Sequence, residues 1–132
     1  MYLLFQKMTT VLSPISLAAE GPDTRSALYP LQPGLNKIGR RADAEQKPLL
    51  NEVLIDTNDV LIHRQYHCQI EVRHRTDGGG FDYVLSAYPG ATNPTVLIAD
   101  AAMPLHALDQ VYLQPGAAFT LGSTTLRLQF DA

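Results

Sequence analysis

Turn-forming residues recur at short intervals along the whole chain, and this spacing constrains the fold more than any other feature. Gly21-Pro22-Asp23, Pro33-Gly34, Asp56-Thr57-Asn58-Asp59, Asp77-Gly78-Gly79-Gly80, Pro89-Gly90 and Pro115-Gly116 each mark a break. Between them lie short segments rich in Val, Ile, Leu, Tyr and Thr. Short apolar strands separated by regular turns build a sandwich or a barrel. Gly and Pro number 9 each and are spread as punctuation, so they define no linker, and neither an internal repeat nor a low-complexity stretch is present.

Several segments alternate with period two. Cys68, Ile70 and Val72 share one face of a strand, and Gln69, Glu71 and Arg73 share the other. Leu126, Leu128 and Phe130 alternate with Arg127 and Gln129, and Phe119 and Leu121 flank Thr120. Such alternation needs sheets with one buried and one wet face. Asp77 to Gly80 reads as a hairpin loop joining Cys68–Arg75 to Phe81–Ser86. Two stretches have weak helical character, Ala42 to Leu50 and Asp100 to Leu108. Each contains a proline (Pro48, Pro104), so both are expected to be loops with at most a turn of helix. The expected fold is an all-β sandwich of about 10–11 mostly antiparallel strands, with at most short helical turns.

At 132 residues the chain is expected to form one domain spanning 1–132, with a core sufficient without staples. The net charge of −3 argues against nucleic acid or an anionic membrane as partner. A single cysteine, Cys68, cannot form an internal disulfide and fits a reducing compartment. No apolar run is long enough to insert in a membrane. Met1 to Phe5 is too short for a signal-peptide core and lacks a basic flank, so the expected location is cytoplasmic.

The residues that could carry chemistry are few. There is no G-x-S-x-G, P-loop or H-E-x-x-H pattern, so the chain is expected not to be an enzyme. His63, His67 and Cys68 offer three zinc-type ligands within six residues, without the distant pair that a structural site requires. Adjacent His67 and Cys68 would also point to opposite faces of a strand. No metal or other cofactor is therefore expected, and Cys68 reads as a small core residue. Arg40 and Arg41 follow Gly39 at the end of one strand, and His63 and Arg64 precede another. Two basic clusters at strand ends can converge on one rim, where planar guanidinium forks suit phosphate oxygens. On charge alone, an ordinary solvated rim whose Arg side chains pair weakly with Asp or Glu accounts for them better.

The order of the motifs adds to this. The segment Leu31-Gln32-Pro33-Gly34-Leu35-Asn36-Lys37-Ile38-Gly39-Arg40 leads to Val53-Leu54-Ile55-Asp56-Thr57-Asn58-Asp59. His63-Arg64-Gln65-Tyr66-His67-Cys68-Gln69-Ile70 follows, and then Asn93-Pro94-Thr95. The chain closes with Leu113-Gln114-Pro115-Gly116, Phe119-Thr120-Leu121-Gly122 and the amphipathic run Thr124 to Phe130. In this order the chain resembles the forkhead-associated (FHA) family over residues 27–131, with 9–19 as the first strand. The resemblance implies a β-sandwich of the SMAD/FHA type that binds phosphothreonine in a peptide. It implies that Arg40 contacts the phosphate, that Asn93 bonds the peptide backbone, and that Thr95 is the Thr of the family's Asn-Gly-Thr. It also implies that His67 braces the binding loops and that Gly39 is the Gly of Ile-Gly-Arg.

The chain also departs from the family pattern. The phosphate-binding Ser is absent: counting back from His67 puts Arg64 in its place, and counting forward from Asp59 puts His63 there. Pro94 replaces the Gly of Asn-Gly-Thr, which removes a backbone N–H, while the residue before it, Asn93, still favours extended geometry. Two readings follow. One is a signalling module that binds a phosphothreonine protein or peptide through Arg40, Arg41, His63, Arg64, Asn93 and Thr95. The other is a degenerate docking or scaffold module, attached to other domains of a longer chain, that binds its partner without phosphate.

Overall fold

The computed structural model describes residues 15–43, 45–49, 52–64, 66–76, 79–99, 101–106 and 108–130. Residues 9–14 of the expected first strand, and Asp77 and Gly78 of the expected hairpin loop, lie outside them. Eleven strands follow in order: β1 (Ile15–Gly21), β2 (Thr24–Pro30), β3 (Gly34–Arg40), β4 (Glu52–Ile55), β5 (Cys68–His74), β6 (Phe81–Ala87), β7 (Thr95–Ile98), β8 (Ala102–Pro104), β9 (Val111–Leu113), β10 (Ala118–Leu121) and β11 (Thr124–Phe130). The described residues contain no helix, so none that is long and apolar enough to cross a membrane.

The strands form two sheets, ordered β2-β1-β11-β10-β7-β8 and β4-β3-β5-β6-β9. Every named pairing is antiparallel except β3–β4, which is parallel. The parallel pair explains the long 41–51 connection, because a parallel neighbour cannot be reached by a hairpin.

Register places the alternating residues in the core. Leu17 faces Leu128 and Ala19 faces Leu126 across β1–β11, and Phe119 faces Leu126 across β10–β11. In the second sheet Ile38 faces Cys68, Ile70 faces Leu85 and Val72 faces Tyr83. These side chains form one buried cluster between the sheets. Each large aliphatic buried there is worth about 1.5–3 kcal/mol. A slip of one residue would turn each of these faces to solvent, so the apolar pattern locks the register.

The stretch Asp100 to Leu108, expected as loop, contains the strand β8. It pairs with β7 through Val96↔Pro104, Leu97↔Met103 and Ile98↔Ala102. Its proline is tolerated because β8 is a sheet edge, where a missing N–H costs no ladder bond on the open side.

Candidate functional site

The pairing of β3, β5 and β6 brings distant loops to one end of the sandwich. β3 ends beside the start of β5, with Ile38 opposite Cys68, and Cys68 lies opposite Ala87 at the end of β6. The β4–β5 loop (56–67) and the β6–β7 loop (88–94) therefore meet there. The β1–β2 turn joins them through an Asn58 N–H to Asp23 carbonyl bond of 2.9 Å, and the β10–β11 turn through Asp59.

Arg40 closes β3. Its backbone N–H donates to the His63 carbonyl at 3.0 Å, and it forms a parallel bridge with Arg64. Its side-chain Nε donates to the Ile62 carbonyl at 3.1 Å. That single bond orients the guanidinium, and the group has no carboxylate partner among the described residues. Arg64 is exposed and also lacks a carboxylate partner among them. His63 is exposed, donates from Nδ1 to the Arg64 carbonyl at 2.8 Å, and meets the Tyr88 ring edge-on at 6.3 Å.

His67 is fully buried and ties three segments together. Its Nδ1 accepts the His63 N–H at 2.9 Å, and its Nε2 donates to the Pro94 carbonyl at 3.3 Å. A backbone N–H can only donate, so Nδ1 carries no proton and the ring is neutral. Its own backbone N–H donates to the Ile38 carbonyl at 2.7 Å. Burial holds its pKa below 6.5, and the nearby His63 acts in the same direction, against the opposing pull of Pro94, Asp59 and Asn93. Asn93 donates from Nδ2 to the Leu61 carbonyl at 3.0 Å, which joins the β6–β7 loop to the β4–β5 loop a second time. A cleft of about 200 Å³ opens beside Asn93, between this loop and Leu105.

The structure thus brings Arg40, His63, Arg64, His67 and Asn93 together on one rim. Gly39 lies just behind them in β3, paired with Leu54. The remaining two expected residues are placed differently. Arg41 turns to the β4 side, where its guanidinium pairs with Asp56 at 3.2 Å. Thr95 is only 1% exposed, because it faces Leu121 across β7–β10 and so points into the core. Its hydroxyl has no hydrogen bond of normal geometry there, and the polar group beside it is the buried Cys68 thiol, whose pKa burial raises.

Two features of the rim were not singled out from the sequence. Asp59, 5% exposed, is the carboxylate beneath the loops. Its Oδ2 accepts the Ser123 N–H at 2.7 Å, the Ser123 hydroxyl at 2.9 Å and the Thr124 hydroxyl at 3.2 Å, and its Oδ1 accepts the Leu61 N–H at 3.0 Å. Burial opposes ionisation, but these donors outweigh it and hold the carboxyl below its ordinary value of 3.8. Thr24 extends the network, with its hydroxyl 2.6 Å from those of both Thr57 and Thr124. The second feature is an aromatic stack. Tyr66 and Tyr88 lie 4.0 Å apart at 15°, Lys37 Nζ sits 5.2 Å from the Tyr66 ring, and the Tyr66 hydroxyl bonds Gln69. Gly90 packs on Tyr88 so closely that a Cβ would stand 2.6 Å from the ring. The signals were present, in an Asp within a turn and a Tyr in each loop, but their partners are far away in the chain.

Neither a family model nor a curated protein matches this sequence. Solved structures do. The MEK1 FHA domain superposes with a TM-score of 0.62 at 20% identity, covering 97% of this chain and 96% of that domain. The FHA domain of CT664 from Chlamydia trachomatis gives 0.61 at 18%, over 91% of this chain and 100% of that one. The FHA domain of an Arabidopsis thaliana hypothetical protein gives 0.58 at 23%, over 92% and 90%. With two sheets, eleven strands and this breadth of likeness, the chain has the forkhead-associated fold.

Proposed function

We propose that the chain is a non-catalytic protein–protein interaction module whose rim binds a phosphothreonine-containing protein or peptide. The observation that carries this reading is the state of Arg40. One guanidinium N–H is spent on the Ile62 carbonyl, which fixes the fork, and no carboxylate among the described residues neutralises it. An oriented, unneutralised guanidinium on a rim is matched to a dianionic phosphate, which offers several acceptor oxygens to a bidentate donor.

The other residues fit around it. Arg64 and His63 supply donors in place of the family hydroxyl, from the backbone segment that bridges to Arg40. Asn93 is anchored through Nδ2, so its Oδ1 is presented to a backbone N–H of the peptide. Gly39 and His67 act in support. Arg41, paired with Asp56, contributes positive field and not a direct contact. Thr95 lies beneath the surface and supports β7. Three solved structures of the fold support an interaction module, and two of them the class of ligand. The FhaA FHA domain is complexed with an intracellular domain, another structure concerns phosphothreonine-dependent FHA interactions, and the MEK1 FHA domain holds a HOP1 phosphothreonine peptide. A cytoplasmic partner, or another domain of a longer chain, fits this role.

The competing reading is phosphate-independent docking. It is favoured by the exposed His63 and Arg64 at the position of the family hydroxyl and by Pro94. Titration with a phosphothreonine peptide library and its unphosphorylated twin separates the two. The phosphorylated library binds, and Arg40→Ala weakens it about 10- to 100-fold, the range for losing charge-assisted hydrogen bonds. Equal binding to both libraries, unaffected by Arg40→Ala, would establish the docking module instead.

A further inference from the structure

The sheet β2-β1-β11-β10-β7-β8 turns one face to the core and the other outward. Register sets one row across the outer face. Leu28, Ala18, Arg127, Ala118, Ile98 and Ala102 lie side by side on its six strands. Five of the six are apolar and three are alanine, so nothing bulky keeps a second sheet from packing there. Leu28 is 54% exposed and Ile98 44%. A groove of about 460 Å³ runs past Ala18, between Leu28 on one side and Arg127 on the other.

The charges on this face differ from those on the other sheet. On the outer side of β5 and β6, Arg73 pairs with Glu71 at 2.8 Å, and Arg75 nearby pairs with Asp82 at 2.9 Å. On the outer side of β1 and β11, Glu20 is exposed and Arg127 is exposed, and neither has an ion-pair partner among the described residues. The Arg127 guanidinium donates to the Gly116 carbonyl at 2.8 Å. Gly116 bonds Leu128, so this contact draws Arg127 away from Glu20, which lies opposite Thr125. A fixed cation and an unpaired acid on one apolar face satisfy each other across two molecules and not within one.

The spacing fits a twofold axis. With strands about 4.8 Å apart and alternate residues about 6.6 Å apart along a strand, the in-plane axis that exchanges Glu20 with Arg127 passes within about 2 Å of Ala18 and Leu28. Ala18 then meets Ala18, Leu28 meets Leu28, and both Glu20–Arg127 pairs form at once. The strands of the two copies cross at roughly 70°, close to the orthogonal class of sheet packing. We infer that this outer face binds a second copy of the chain, with Glu20 of one protomer paired to Arg127 of its partner around an apolar centre of Ala18 and Leu28. The inference does not depend on the phosphothreonine reading; Arg40 and Asn93 take no part in this face.

The test is sedimentation equilibrium across the micromolar range. It compares the unaltered chain, Leu28→Asp, Glu20→Arg, Arg127→Glu, an equal mixture of the last two, and Arg40→Ala, with thermal unfolding as the check that each is folded. The unaltered chain and Arg40→Ala pass reversibly from monomer to dimer. Leu28→Asp sets two carboxylates together at the axis, and Glu20→Arg and Arg127→Glu each set like charges together, so each weakens the dimer at least about tenfold. The mixture restores it, because each variant then supplies the sign that the other lacks. A chain that stays monomeric throughout overturns the inference. So does a dimer that Glu20→Arg and Leu28→Asp leave intact, or a mixture no more associated than its two components.

Discussion

The two ends of the sandwich are built on different principles. The end away from the rim is held by local devices. Gly34, Gly80 and Gly116 take φ of 95°, 101° and 91°, conformations that favour glycine, and the space beside each is open. Its main polar anchor, Asn36, accepts the Gln32 N–H and donates to the Gln32 and Gly34 carbonyls, within four residues of itself, and reaches only to Ile70 beyond that. The rim end is held across the chain. Asp59 binds Ser123 and Thr124, and His67 binds Pro94. Its loops are long, yet two buried polar groups hold them in place. A rim that must keep Arg40 and Asn93 in register needs such anchors, because loop backbone alone does not define a position. The contrast predicts that damage to the rim is expensive and damage to the far end is modest.

The largest test replaces the two anchors in parallel. Asp59→Ala leaves the Leu61 and Ser123 N–H groups and two hydroxyls without their acceptor, and is expected to cost about 3–4 kcal/mol. Asn36→Ala removes a neutral amide with mostly local partners and is expected to cost about 1–2 kcal/mol. Urea denaturation of both variants measures the difference. Equal costs would break the comparison, since the rim would then owe no more to its distant carboxylate than the far end owes to its amide.

Two glycines sharpen it further. Gly34 has φ of 95° and Gly122 has φ of 57°. The smaller angle is the one that non-glycine residues adopt more readily, so backbone strain alone makes Gly34→Ala the worse change. Crowding argues the reverse. A Cβ on Gly122 would stand 2.6 Å from Asp59 Oδ2, whereas one on Gly34 meets nothing within 4 Å. The expected order is Gly122→Ala at about 2–3 kcal/mol and Gly34→Ala at about 1 kcal/mol. The opposite order in thermal denaturation would show that the turn bends away from Asp59 at little cost.

This division also explains what the sequence made legible. Local rules were readable. The alternation of Cys68, Ile70 and Val72 identifies β5, and the turn at Pro33-Gly34 marks the start of β3. Arg40, His63 and Arg64 were readable as rim residues because each lies near a strand end, and Asn93 was readable only through the resemblance. Distant pairings were not. Nothing near Asp59 points to Ser123, 64 positions later. Charge and position treat Arg41 like Arg40, although the resemblance singles out Arg40, and the parallel β3–β4 pairing separates the two in space by bringing Asp56 to Arg41. The burial of Thr95 follows from its register with Leu121, which composition does not contain. The strand β8 was missed because three residues ending in proline carry no periodic signal, and only β7 makes them a strand.

The two rim anchors differ in the pH at which each should fail, and this gives the smallest and most selective test. Asp59 is held below 3.8, so its contribution is present above that value and is lost only as pH falls below it. His67 is held below 6.5 by burial. Below pH 6.5 the unfolded chain takes up a proton at this position while the folded chain does not, so stability falls with pH from 6.5 down to the folded pKa. Within that window the slope approaches about 1.4 kcal/mol per pH unit. The cause is directional as well as dielectric, since a proton on Nδ1 would turn an acceptor into a donor facing the His63 N–H. Urea denaturation at steps between pH 7.5 and 5 should show this slope in the unaltered chain and lose it in His67→Gln, while Asn36→Ala keeps it. A slope that persists without His67 would place the acid sensitivity elsewhere, and the joint between the β4–β5 and β6–β7 loops would then rest on Asn93 and the Tyr66–Tyr88 stack.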